Sequence, residues 1–231
     1  MSAIVVQVAM AEEAQPFIDA ASEASEPLAF GRAQHRGLVI GEATIVLVTS
    51  GIGFINAADA AAGALARYGD DALIISAGTA GGLAGTAVGD VIIGTRFVNV
   101  EADARAFGYE LGQVPGMPAA YEPDAQAVTA LVASAPTGLA IVRGEIGSGE
   151  KFVTQELAAQ LREAFPQLLA VDMETSAIAQ LAHNHDARFA SVRAISDLCA
   201  PTGDEFKTHL DGAAALSAQT VIAALPGLTV R

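Results

Sequence analysis

The sequence holds one cysteine, Cys199, and no tryptophan in 231 residues. A lone cysteine forms no internal disulfide, so this is no disulfide scaffold, and the chain suits a reducing cytoplasm. Basic residues are also few. Twelve Lys and Arg against 26 Asp and Glu leave a formal net charge of −14. That charge repels phosphate backbones and anionic headgroups, which argues against nucleic acid and membrane surfaces as partners. No apolar run reaches ~18 residues without a charge, so no segment reads as a bilayer span. The first residues lack a basic region, and Glu12 and Glu13 interrupt the first apolar run, so no signal peptide is expected. What is abundant is apolar surface: 52% hydrophobic against 16% charged residues excludes disorder and supplies a sizeable core.

The pattern alternates. Buried strands are expected at 4–10, 72–77, 90–100, 138–146, 168–172 and 188–195, and a hairpin or meander over 29–50 with turns at Gly37 and Gly41. Helices are expected at 11–21, 54–67, 124–135, 154–165, 174–183 and 205–225, with Pro16 awkward inside the first of them. Residues 101–121 have no clear period and read as a long loop, usually a functional one. No composition break or linker divides the chain. The expectation is a single α/β domain over 1–231, with a central mixed, mostly parallel, twisted sheet flanked by helices.

Several motifs carry less than they first suggest. Residues 144–151 look like a phosphate-binding loop, but the lysine does not follow the second glycine directly and Glu150 intrudes. No complete GxGxxG follows a strand, so a dinucleotide is disfavoured and no cofactor is expected. His183, His185 and Asp186 sit at a helix end, where histidine suits the dipole, and no metal site is expected. Cys199 without a paired histidine reads as a small buried residue.

Three acids stand out. Glu13, Glu174 and Asp197 each follow a predicted strand, and ligands of open α/β sheets bind beyond the carboxyl ends of the strands. Together they suit general acid, base and hydroxyl-holding work. Singly, each also has an ordinary reading as a first-turn acid or a helix cap. Arg193 inside an apolar strand requires an anion or carbonyls to satisfy it.

Six blocks in order, from Ala9 to Asp197, carry a resemblance that reaches on to Phe206. They are Ala9-Met10-Ala11-Glu12-Glu13, Ser50-Gly51-Ile52-Gly53, Gly78-Thr79-Ala80-Gly81-Gly82-Leu83, Ala106-Phe107-Gly108-Tyr109-Glu110, Val171-Asp172-Met173-Glu174, and Val192-Arg193-Ala194-Ile195-Ser196-Asp197. The sequence resembles the bacterial 5′-methylthioadenosine/S-adenosylhomocysteine nucleosidases of the nucleoside phosphorylase/hydrolase superfamily. The resemblance implies hydrolysis of the adenine–ribose bond through an oxocarbenium-like transition state. It implies Asp197 as the general acid at adenine N7, Glu13 as holder of the attacking water helped by Arg193 and Thr79, and Glu174 as ribose ligand over Met173. Phe152 and Val153 match the adenine-binding positions. Met10, Ile52, Ala80, Gly81, Ser196 and Phe206 complete the implied pocket. A homodimer is implied, paired through helix 54–67, with Phe107 and Tyr109 reaching the partner's pocket.

The family's Glu-Met-Glu is here Asp172-Met173-Glu174, with the first acid supporting. An aromatic lining the 5′ end is replaced by Gly203 in the loop Ala200-Pro201-Thr202-Gly203, which implies weak discrimination between short and long tails. Purine nucleoside phosphorylases, futalosine hydrolases and non-catalytic nucleoside-binding or storage proteins are the alternatives. The first lacks its phosphate arginine here before Thr79, and retention of all three acids speaks against the last.

Overall fold

A computed structural model describes residues 2–200 and 202–228. The elements run β1 (Ile4–Val8), α1 (Ala11–Ala20), β2 (Glu23–Ala24), β3 (Leu28–Phe30), β4 (Ala33–Ile40), β5 (Ala43–Thr49), α2 (Phe54–Tyr68), β6 (Leu73–Gly82) and β7 (Val91–Asn99). They continue with α3 (Ala125–Ala133), β8 (Ile141–Ser148), α4 (Gln155–Ala164), β9 (Leu168–Asp172), α5 (Thr175–Asn184), β10 (Arg188–Asp197) and α6 (Asp204–Leu228).

The sheet is mixed. β1 lies between β5 and β6, parallel to both, and β6 runs parallel to β10. β10 pairs with β7, β7 with β8, β8 with β9, and β9 returns to the far end of β6. These last five strands therefore close on themselves, while β5, β4 and β2 extend the sheet beyond β1. Successive residues of β1 and β6 face opposite cores. Val6, Ile75 and Ala77 pack with α1, α3 and α6, and Val5 and Ile74 pack with α2 and α5. Both faces are covered, which is why these strands are continuously apolar.

The differences from the sequence-based bounds fall at strand ends. β6 runs on to Gly82 and β10 to Asp197, because the two pair in parallel past the points where glycine and polar residues suggest loops. Gly78 is required there: a Cβ would strike the Glu13 carboxylate and the Arg193 guanidinium. β8 begins and ends later than 138–146. In the meander, Gly37 lies inside β4, and the turns are at Gly31 and Gly41, whose φ values of 58° and 59° suit glycine. Pro16 is accommodated within α1. The segment 101–121 holds a 3-10 turn at Arg105–Phe107 and two isolated bridges. No helix of the described residues is long and apolar enough to cross a membrane.

Candidate active site

The carboxyl ends of β1, β6, β9 and β10 surround an open-mouthed cleft. Met10, Glu13, Ile52, Thr79, Ala80, Gly81, Phe152, Val153, Met173, Glu174, Ser196, Asp197 and Phe206 all line it. Arg193 lies beneath the floor, 2% exposed. Phe107 and Tyr109 do not line this cleft, and Phe107 is 84% exposed. Asp172 and Lys151 line it as well. Asp172 appears in the sequence as a supporting acid only. Lys151 stands in the sequence only as the misplaced lysine of a phosphate-like loop, with nothing to mark it as a cleft residue.

Glu13 sits in the first turn of α1, yet its carboxylate points into the cleft. Oε1 accepts from the Thr79 backbone at 2.8 Å and the Thr79 hydroxyl at 3.0 Å. Oε2 accepts from the backbone of Ala9 at 2.9 Å and Met10 at 3.3 Å. Four donors fix its orientation and link α1, β1 and β6 at one point.

Glu174 precedes α5, but its side chain does not cap that helix. It turns instead to the Gly53 backbone N–H, at 3.1 Å, and to Arg193 Nη2, at 3.7 Å. Burial pushes its pKa up to about 7. The Arg193 charge opposes that rise, and Asp172 and Glu13 add to it.

Arg193 is answered mainly by Asp172, whose Oδ2 lies 2.8 Å from Nε. Its Nη2 also donates to Ser76 Oγ at 2.6 Å and Thr175 Oγ1 at 3.1 Å, and its Nη1 to the Thr79 carbonyl at 3.4 Å. Asp172 in turn accepts from Ser148 Oγ at 2.6 Å, from the Glu174 and Thr175 backbone, and from the Thr175 hydroxyl. The supporting acid is thus the guanidinium's principal partner.

Asp197 reaches the cleft through an irregularity. The register of β10 against β6 shifts between Ile195 and Asp197. A regular strand would point adjacent residues to opposite faces, whereas Ser196 and Asp197 both line the cleft. The Asp197 carboxyl accepts from Ser196 Oγ at 2.9 Å and from the Cys199 backbone at 2.9 Å. Burial raises its pKa, partly offset by those two hydrogen bonds. Cys199 is buried beside it, with its thiol pushed up to about 12, chiefly by burial and then by the Asp197 charge. Such a thiol is a poor nucleophile.

Over the cleft, Phe152 and Phe206 meet edge to face at 5.8 Å. A Cβ added at Gly203 would lie 3.9 Å from the Phe152 ring, so the missing side chain leaves that ring uncovered on one side. Pro201, in the same loop, lies outside the described residues. Residues 144–151 form most of β8 and the turn after it, not a phosphate loop. Among the described residues, no group of three or more His, Cys, Asp and Glu is arranged to hold a metal ion.

Residues 3–226 match the family model described as the phosphorylase superfamily. A 5′-methylthioadenosine/S-adenosylhomocysteine nucleosidase of Anoxybacillus flavithermus is 39% identical over 184 residues, covering 78% of this chain and 79% of the relative. One from Bacillus cereus is 35% identical, covering 97% of this chain and 99% of the relative. The crystal structure of such a nucleosidase from Neisseria meningitidis, in complex with methylthio-immucillin-A, superposes with a TM-score of 0.91. That chain is 36% identical, with 97% of this chain and 98% of that one covered. With its mixed sheet and acid-lined cleft in the same frame, this chain belongs to the phosphorylase superfamily and, within it, to the bacterial 5′-methylthioadenosine/S-adenosylhomocysteine nucleosidases, which are N-ribosyl hydrolases.

Proposed function

We propose that this chain hydrolyses the N-glycosidic bond of 5′-methylthioadenosine and S-adenosylhomocysteine, releasing adenine and the 5′-thioribose product. The observation that carries the reading is one cleft holding two buried acids in unlike surroundings. Glu13 accepts four donors, while burial raises the pKa of Asp197. A raised pKa keeps Asp197 available as the acid that protonates adenine N7. Protonation makes adenine a better leaving group, so the bond breaks ahead of attack and positive charge develops on the ribose. Glu13, oriented by Thr79 and the start of α1, holds the incoming water and faces that charge. Glu174, tied to Gly53, takes the ribose hydroxyls above Met173, and Phe152 stacks on the base with Val153 beside it.

Phosphorolysis requires a cation at the nucleophile's position. Here Arg193 is committed to Asp172, and Lys151 is the cation among the cleft-lining residues, with its side chain 71% exposed. Water therefore suits the site better than phosphate. Incubation with either nucleoside in phosphate-free buffer containing a chelator should release adenine. Activity that appears only on adding phosphate or a metal overturns the proposal, as does preference for futalosine over both substrates.

The reading extends to a homodimer in the cytoplasm. The single, unpaired and buried cysteine supports the compartment. Ile55 near the start of α2 is 82% exposed and Phe107 84% exposed, two large apolar side chains that a second copy would cover. Phe107 and Tyr109, absent from their own cleft, are then lining for the partner's. Light scattering at micromolar concentration should return twice the 23.4 kDa chain mass; a 23.4 kDa particle removes the dimer.

A further inference from the structure

We propose that Lys151 and Glu101 form a subsite for an amino-acid tail on the nucleoside, the lysine taking the α-carboxylate and the glutamate the α-ammonium. The inference rests on the nucleosidase reading and adds to it the residues that favour the charged tail.

The deep part of the cleft is anionic. Glu13, Asp172, Glu174 and Asp197 line it, all buried, in a chain of net charge −14. A methylthio tail is uncharged and meets no repulsion there. An amino-acid tail is a zwitterion: its ammonium suits such a cleft, but its carboxylate is repelled and needs a cation, and Lys151 is the cation among the lining residues. Its ammonium stands 3.6 Å from Glu101 Oε1, beyond the usual span of a charge-assisted hydrogen bond. The side chains are 71% and 30% exposed, so this is a solvated pair that opens readily for a better partner.

The pair is nonetheless held in place. Glu101 Oε2 accepts from the Glu150 backbone at 3.1 Å. Glu150 Oε1 in turn accepts from the Phe54 backbone at 2.9 Å, tying the turn after β8 to the start of α2. Lys151 therefore stands between that anchor and Phe152, and it lines the cleft together with Ile52, two residues before α2. An α-amino acid carries its ammonium and carboxylate on one carbon. Lys151 and Glu101 match both charges at once, each giving up the other for one group of the tail.

The test compares kcat/KM for S-adenosylhomocysteine and methylthioadenosine at low salt, in the wild type and in Lys151→Gln and Glu101→Gln. The wild-type measurement comes first: if it cleaves neither nucleoside, the nucleosidase reading fails and takes this proposal with it. Given wild-type turnover, Lys151→Gln should lower the ratio of adenosylhomocysteine to methylthioadenosine by about fivefold, chiefly through KM. Lys151→Glu should lower it further, and Glu101→Gln should move it in the same direction. Added salt should bring the wild-type ratio towards that of Lys151→Gln. A butylthio analogue, long but uncharged, should follow methylthioadenosine in every variant. An unchanged ratio in Lys151→Gln, or an equal loss on both substrates, overturns the subsite.

Discussion

Replacing Asp197 by Asn should slow adenine release by ~10²-fold or more, with the loss in kcat, because an amide is far too weak an acid to protonate the departing base. The substitution is close to isosteric. The Asn carbonyl can still accept from the Cys199 backbone, and its amide can donate to Ser196 Oγ once that hydroxyl rotates. The bend that aims residues 196 and 197 into the cleft belongs to the backbone pairing of β10 with β6, so it survives. Binding of a substrate analogue should therefore be retained while turnover is lost. The pH dependence follows with its sign. Burial lifts the Asp197 pKa, so the protonated form persists above the ordinary aspartate range, and kcat/KM falls as pH rises through that pKa. The variant should lose that limb. Wild-type turnover in Asp197→Asn would remove Asp197 as the acid.

Legibility in the sequence tracked the local physics. Val5, Val6, Ile74 and Ile75 announce strands covered on both faces, and the structure buries all four. The last residues of β6 were not legible, since Gly78, Gly81 and Gly82 ordinarily mark a loop. They remain extended because β10 pairs alongside, and Gly78 reflects the approach of Glu13 and Arg193 from distant positions. Local pattern carries no such information. Arg193 was conspicuous as an arginine in an apolar strand, but its main partner was not. Asp172 and Arg193 are brought together by the order β9, β6, β10, which period and propensity do not specify. Lys151 is visible in the sequence as the misplaced lysine of a phosphate-like loop, but its place in the cleft is hidden for another reason. Nothing in composition separates a lysine lining a cleft from one in solvent, and only the position of the turn after β8 does so.

Arg193→Met should be the most damaging substitution for stability. The guanidinium is the one cation among three buried acids, within 4 Å of two of them: Asp172 at 2.8 Å and Glu174 at 3.7 Å, with Glu13 close enough to couple electrostatically. Methionine fills much of the volume but leaves those charges, and the Ser76 and Thr175 hydroxyls, without their partner. Breaking a buried ion pair from one side costs roughly 3–5 kcal/mol, a large share of a typical domain's stability. Proton uptake should soften the loss. Glu174 has a native pKa near 7 even with Arg193 holding it down, against 4.5 in the unfolded chain. Between those values the native state binds more protons than the unfolded state, so the group's contribution is full at low pH and lost as pH rises through the native pKa. Without Arg193 that pKa climbs further, and the deficit relative to wild type should be smaller at pH ~5 than at pH ~8. His35, whose pKa is lowered mainly by burial, titrates with the opposite sign in this window. It is common to both proteins and cancels in their difference. Urea unfolding of the two at both pH values measures that difference directly. A deficit below ~1 kcal/mol, or one that grows on acidification, would show that Arg193 is not what compensates the buried acids beneath the cleft.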